Sequence, residues 1–229
     1  LGLGVLGWHA LLQSKMFAFG DMESMLLNSE VFKLIQNQSL AASKKMARMY
    51  GEPSVLKGYG RRNTTLTAIA PTKSSSFIMG QVSPGIEPFT SNMYVKDLAK
   101  SKTTFKNPFL EKLLEEKGMN TKATWKSISK EDGSVQHLEF LSEKEREVFK
   151  TFREVSQMSI IQQAAARQEF ICQGQSLNLN IDPRTPTKDV NQLLLTAADL
   201  GVKSLYYQHN VNAAQEFKRN LNSCISCDG

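Results

Sequence analysis

The chain has 229 residues, 41% apolar and 22% charged, ordinary values for a globular fold of one or two domains with room for a sizeable core. Its formal charge of +6 comes from scattered bases (Lys44, Lys45, Arg61, Arg62, Lys100, Lys102, Lys106), with acids among those after Lys106, a solvated surface rather than a nucleic-acid groove. Three cysteines exclude a secreted disulfide framework, no apolar run approaches the ~20 residues of a membrane helix, and no basic leader is followed by a cleavage site, so a cytoplasmic chain is expected.

The first residues, Leu1 to Gly7, match G-x-G-x-x-G at Gly2, Gly4 and Gly7. A dinucleotide fingerprint needs a strand before it and an acid about 20 residues on. No sequence precedes it here and Trp8 to Phe19 continues as an apolar helix, so close helix packing is the better account of these glycines. From Met22 to Tyr50, Met25, Leu26, Phe32, Ile35, Leu40, Met46 and Met49 recur at loosely helical spacing. Gly51, Pro53, Gly58 and Gly60 end that pattern.

The stretch Asn63–Ser76, NTTLTAIAPTKSSS, predicts a buried strand over Thr65–Ala70 that stops at Pro71. Thr72, Lys73, Ser74, Ser75 and Ser76 then crowd hydroxyls and an ammonium into the start of a helix, where backbone N–H groups are free. That combination suits a phosphate cradle. An N-cap followed by a solvated serine run is the plain alternative. Next comes SPGIEP, Ser83–Pro88, a fixed loop carrying Glu87. A lone glutamate in a turn is ordinarily solvated, but beside a cradle it could face the site.

Residues 89–141 carry little signal. Asn107-Pro108 starts and Gly118 stops a short charged helix, and Lys130–Gly133 resembles a surface turn. Ser142 and Glu145 form a capping box that predicts one long helix to about Phe170, with Val148, Phe149, Phe152, Val155, Ile160 and Ala164 on its apolar face. Ser176–Ile181 alternates like a strand, Asp182-Pro183 turns it, and Thr185-Pro186 starts a helix through Leu200 that Gly201 ends. Val202–Tyr207 is the next strand. Strand, helix and strand make a βαβ unit with parallel strands, and the class is α/β.

Tyr206 and Tyr207 adjoin at the end of that last strand; packing is one account, and passage of an electron and a proton between neighbouring phenols is another. Cys224 and Cys227 form C-x-x-C near the end of the chain. They lack the further ligands of a zinc site and the strand–helix setting of a thioredoxin motif, which leaves a mobile dithiol shuttle or two incidental thiols. Cys172 is expected to be a buried structural thiol. His9, His137 and His209 share no spacing that suggests a triad, and no metal site is assigned.

NTTLTAIAPTKSSS, SPGIEP and KSLYYQ, followed by the cysteine pair, together resemble the C-terminal portion of the class I ribonucleotide reductase large (catalytic) subunit, in the variant of T-even-like bacteriophages. The resemblance runs from the glycine-rich start to Cys227. It implies the C-terminal half of a ten-stranded α/β barrel with peripheral helices over residues 1–210 and a flexible tail over 211–229. Thr72, Lys73, Ser74 and Ser75 match the loop that binds the diphosphate of a ribonucleoside diphosphate, although some relatives carry glycine or an acid in place of Lys73. Tyr206 and Tyr207 match the radical-transfer pair, and Cys224 and Cys227 the redox-active tail thiols.

The implied function is reduction of ribonucleotides to deoxyribonucleotides for DNA replication. The implied partners are a radical-generating small subunit carrying a metal-generated radical, an N-terminal part of the large subunit, and thioredoxin or glutaredoxin. No cofactor is assigned to this chain, and neither nucleic acid nor membrane is an expected partner. The family's radical cysteine, active-site disulfide, specificity loops and any ATP cone match no residue here. The chain alone is therefore expected to be inactive, a fragment or a split-gene product. Two alternatives stand apart from the resemblance: a phosphate- or nucleic-acid-binding module using the hydroxyl turn, and a stand-alone dithiol oxidoreductase using the tail.

Overall fold

The computed structural model describes residues 1–98 and 101–209. Four extended segments lie side by side in parallel. The first, Leu1–Leu6, bridges Leu3 to Thr67. The second is the predicted Thr65–Ala70 strand, whose Ile69 bridges Gln175. The third runs from Gln175 and contains β3 (Leu179–Asn180), which pairs in parallel with β4 (Gln208–His209) in the fourth. Backbone bonds extend this ladder beyond the short named strands: Ala68 N–H to Leu3 O at 3.0 Å, Ser176 N–H to Ile69 O at 3.0 Å and Tyr206 N–H to Leu177 O at 2.8 Å.

Helices cross between successive staves. α1 (Trp8–Ser14) and α2 (Met22–Tyr50) join the first to the second, and α8 (Thr187–Asp199) joins the third to the fourth. Between the second and third run α3 (Lys73–Ile78), a hairpin of β1 (Met93–Leu98) and β2 (Ser101–Lys106), α4 (Pro108–Glu116), α5 (Lys122–Lys130), α6 (Glu143–Val148) and α7 (Gln157–Gln168). Parallel staves require such crossovers, and the result is part of an α/β barrel.

The glycine-rich start is not helical. Leu1–Leu6 is extended, and the second stave needs it close: a Cβ on Gly4 would lie 2.3 Å from the Ala68 carbonyl oxygen. The glycines thus serve strand approach rather than helix packing. α1 is also shorter than expected, ending at Ser14 before Met16 takes a positive φ of 55°.

The predicted helix over 142–170 is two helices. Ser142 caps α6 with the full capping box, but α6 ends at Val148, and Ser156 caps a new start for α7. The cause is packing. Val148 and Phe149 belong to a core with Leu110, Leu114, Trp125 and Ile128, whereas Phe152, Val155, Ile160 and Ile161 belong to the barrel core with Trp8, Phe32, Leu177 and Leu179. One straight helix cannot serve both. Glu154 holds the break, accepting from the Thr151 N–H at 2.7 Å and from the Thr151 hydroxyl at 2.8 Å.

Candidate functional site

Pro71 ends the second stave as expected, and Thr72 then takes a left-handed φ of 45°. A β-branched residue there is strained, and its hydroxyl gives the reason: Thr72 Oγ1 accepts the Gly85 N–H at 2.7 Å. Gly85 also has positive φ, and a Cβ on it would sit 2.9 Å from the Ala70 carbonyl oxygen. The hydroxyl turn and the SPGIEP loop are therefore clasped together.

Beyond Thr72, the first turn of α3 presents Lys73, Ser74 and Ser75 to solvent. Among the described residues, no acceptor meets the N–H groups of Lys73, Ser74 and Ser75 and no partner meets the Ser74 and Ser75 hydroxyls. Unpaired donors converging with an ammonium are what an anionic oxygen ligand requires. Ser76 is buried, its hydroxyl donating to the Lys73 carbonyl at 3.1 Å.

Lys73 and Ser76 line a cavity of about 260 Å³ together with Glu87, Pro84, Phe89 and Tyr94. Glu87 is not the solvated turn residue its setting suggests; it is only 4% exposed. Burial pushes its carboxyl up from the usual range, opposed by the Asn178 amide and the Lys73 ammonium. Asn178 Nδ2 donates to Glu87 Oε1, and Asn178 Oδ1 accepts the Tyr207 N–H at 2.9 Å. A polar thread thus runs from beside Lys73 to the backbone of the tyrosine pair. Sequence reading missed Asn178. The available signal was an amide within a stave whose neighbours Leu177 and Leu179 are both buried, because an amide buried there needs partners.

The expected strand over Val202–Tyr207 is instead a short β4 that begins only at Gln208. Tyr206 and Tyr207 thus lead into it rather than end it, tied to the third stave by the Tyr206 N–H to Leu177 O and the Leu179 N–H to Tyr207 O. Their rings are 4.1 Å apart at the centroids, and both are about half exposed. A hydrogen bond with Tyr207, followed by the charge of the same neighbour, pushes the Tyr206 phenol up. Tyr206 also lines an open cleft of about 400 Å³ with Ala70, Pro71 and Gln175, so one phenol and the residues that lead into the hydroxyl turn open onto common space.

His9 lies beneath this region, fully buried. Its Nδ1 accepts the Phe89 N–H at 2.9 Å, directly after SPGIEP. Desolvation lowers it to about 3, outweighing the nearby Val148 carbonyl, and the ring is neutral. Cys172 differs from expectation: it is exposed, not buried. Burial raises its thiol, but hydrogen bonds from the Thr67 hydroxyl and the Leu66 and Thr67 N–H groups outweigh that, and the net direction is down. It holds the start of the third stave against the second. Cys224 and Cys227 lie outside the described residues. No described helix is long and apolar enough to cross a membrane.

Parallel staves joined by helical crossovers, with a hydroxyl turn after one stave and a phenol pair in another, define part of an α/β barrel domain. The profile of the ribonucleotide reductase barrel domain matches residues 1–55 and 53–208, and the chain belongs to that family. It is 37% identical over its whole length to the ribonucleoside-diphosphate reductase large subunit of Invertebrate iridescent virus 3, of which it covers 38%. It is 36% identical over 99% of its length to the corresponding subunit of Invertebrate iridescent virus 6, covering 24% of that protein. Among solved structures it resembles the Actinobacillus ureae class Id ribonucleotide reductase alpha subunit, with 57% identity and a TM-score of 0.87 over 94% of this chain and 39% of that one. The chain thus spans less than two-fifths of each of these proteins.

Proposed function

We propose that the chain is the C-terminal portion of a ribonucleoside-diphosphate reductase large subunit, with the barrel part over 1–210 and the redox tail over 211–229, acting in the cytoplasm (the host's, if phage-encoded). The observation that carries this reading is the meeting of the Thr72–Ser76 turn with the Tyr206–Tyr207 pair through Glu87 and Asn178. Thr72 shapes the turn, and Lys73, Ser74 and Ser75 bind the diphosphate of the substrate through ammonium, hydroxyl and backbone N–H groups. Tyr207 and Tyr206 relay an unpaired electron, each hop coupled to movement of a phenolic proton. Contact between the two rings supports that role.

In the reaction this implies, a thiyl radical from the preceding part of the large subunit removes the ribose 3′ hydrogen atom. Two thiols supplied by the same part give up two electrons and two protons and join as a disulfide. The C2′ hydroxyl leaves as water with one proton while the other goes to C2′, and the cysteine returns the hydrogen atom to C3′, regenerating the thiyl radical. Cys224 and Cys227 then exchange with that disulfide and are reduced in turn by thioredoxin or glutaredoxin. A partner small subunit supplies the metal-generated radical.

The test combines this chain with the N-terminal part and the radical-bearing small subunit. Tyr206→Phe and Tyr207→Phe each remove the ionisable phenol while keeping the ring, and each is expected to reduce deoxyribonucleotide formation to background with substrate binding retained. Turnover that survives both substitutions would overturn the radical route.

A further inference from the structure

The loop Ser83–Pro88 is buried almost throughout although it belongs to no helix or strand. α1 holds it on one side, with the Trp8 N–H donating to the Gly85 carbonyl at 3.1 Å and the Ala10 N–H donating to Ser83 Oγ at 3.1 Å. Thr72 clasps it on another. Glu87 is its third attachment, to Asn178. An asparagine amide has one accepting and one donating end. With Nδ2 committed to the Glu87 carboxylate, Oδ1 is turned toward the Tyr207 N–H. Without the carboxylate only the Tyr207 N–H orients the amide, and its Nδ2 end is left without the partner that anchors it.

We propose that Glu87 is a positioning residue for the tyrosine strand, and that through Asn178 it makes the placement of Tyr207 answer to an anion bound at the Thr72–Ser76 turn. The proposal rests on the reading of that turn as a diphosphate cradle. Lys73 is the shared element, since its ammonium acts on Glu87 from the edge of the same cavity. A phosphate at the turn draws that ammonium outward. Asn178 is then the principal partner of the Glu87 carboxylate, and the amide that holds Tyr207 is fixed more tightly. Substrate arrival would thereby tighten the last relay station before chemistry begins.

The experiment uses the full chain with 3-fluorotyrosine in place of tyrosine, Tyr207 assigned by its loss in Tyr207→Phe, and inorganic pyrophosphate as the probe. In the wild type, pyrophosphate should shift the amide resonances of Lys73, Ser74 and Ser75 and also the fluorine resonance at position 207. In Glu87→Leu the turn amides should still respond, but the response at 207 should be lost, and the Tyr207 amide should exchange about tenfold faster, the effect of losing one hydrogen bond. Glu87→Gln should restore the protection of the Tyr207 amide, because its carbonyl can accept from Asn178, but not the response at 207, because it carries no charge for Lys73 to act on. Asn178→Ala should reproduce the loss with Glu87 in place, and it serves if Glu87→Leu does not fold. A response at 207 that persists in the folded variants, or amide protection that Glu87→Gln fails to restore, overturns the coupling. Turn amides in the wild type that ignore pyrophosphate overturn the cradle reading and the coupling with it, whereas turn amides that respond without Tyr207 overturn the coupling alone.

Discussion

Single residues set the site by being held in states they would not choose in water. His9 is the clearest case. Its ring is neutral because it is buried, and the lone pair on Nδ1 is spent on the Phe89 N–H that closes the SPGIEP loop. Folding lowers its pKa from 6.5 to about 3, so the unfolded chain takes up a proton in that window and the folded chain does not. Stability from this residue is complete above about pH 6.5 and is lost as the pH falls toward 3, by about 1.4 kcal/mol per unit. Urea unfolding of wild type and His9→Asn between pH 4 and 7 should show a shallower decline in the variant, whose amide oxygen can accept from Phe89 without titrating; equal slopes would exclude His9 as the cause. Glu87 shows the limit of sequence reading at the same scale. The turn around it was legible from its prolines and glycine. Its burial was not, because the group that binds it, Asn178, is 91 positions away.

Secondary-structure elements were legible where the local chain decides them. Asn107 caps α4, with its side chain accepting the Phe109 N–H at 3.1 Å, and Gly118 follows the end of that helix at positive φ. Thr187–Asp199 forms α8 before Gly201 in the same way. The failure over 142–170 has a physical cause. Val148, Phe149, Phe152, Val155 and Ile160 keep a helical period, and periodicity says nothing about which core receives each side chain. The chain turns between two cores, and Glu154 secures the turn with bonds to Thr151 and to the Ser134 hydroxyl at 2.5 Å. Glu154→Ala should therefore cost about 2 kcal/mol, as charge-assisted hydrogen bonds do, with Glu154→Gln recovering part of it. Denaturant titration of the three chains checks this, and a loss below about 0.5 kcal/mol, the surface-substitution level, would mean that packing alone sets the break. The β1–β2 hairpin went unread because its alternating polar residues lie in a charged stretch with no turn dipeptide.

At the scale of the molecule, parallel staves with helical crossovers could be foreseen from the βαβ unit near the C-terminal end, whereas the order of the staves depends on contacts such as Leu3 with Thr67 that no local pattern contains. Leu177 and Leu179, both essentially inaccessible, mark the side of the third stave turned to the barrel core, where full burial of a leucine contributes about 1.5–3 kcal/mol. That ladder also has two outer rims. Among the described residues, Leu1–Leu6 pairs on one side only and so does Gln208–His209, and Leu1 and Leu3 are 72% and 53% exposed. Unpaired main-chain groups beside bare leucines are an invitation to another strand. The purified chain should therefore assemble into larger species as its concentration rises, and sedimentation velocity should find this suppressed once the N-terminal part of the large subunit is supplied. A strictly monomeric chain at every concentration would show the rims to be inert. An open rim of this ladder is then better understood as a seam, where main-chain hydrogen bonding left open along one stave is there to be completed by another.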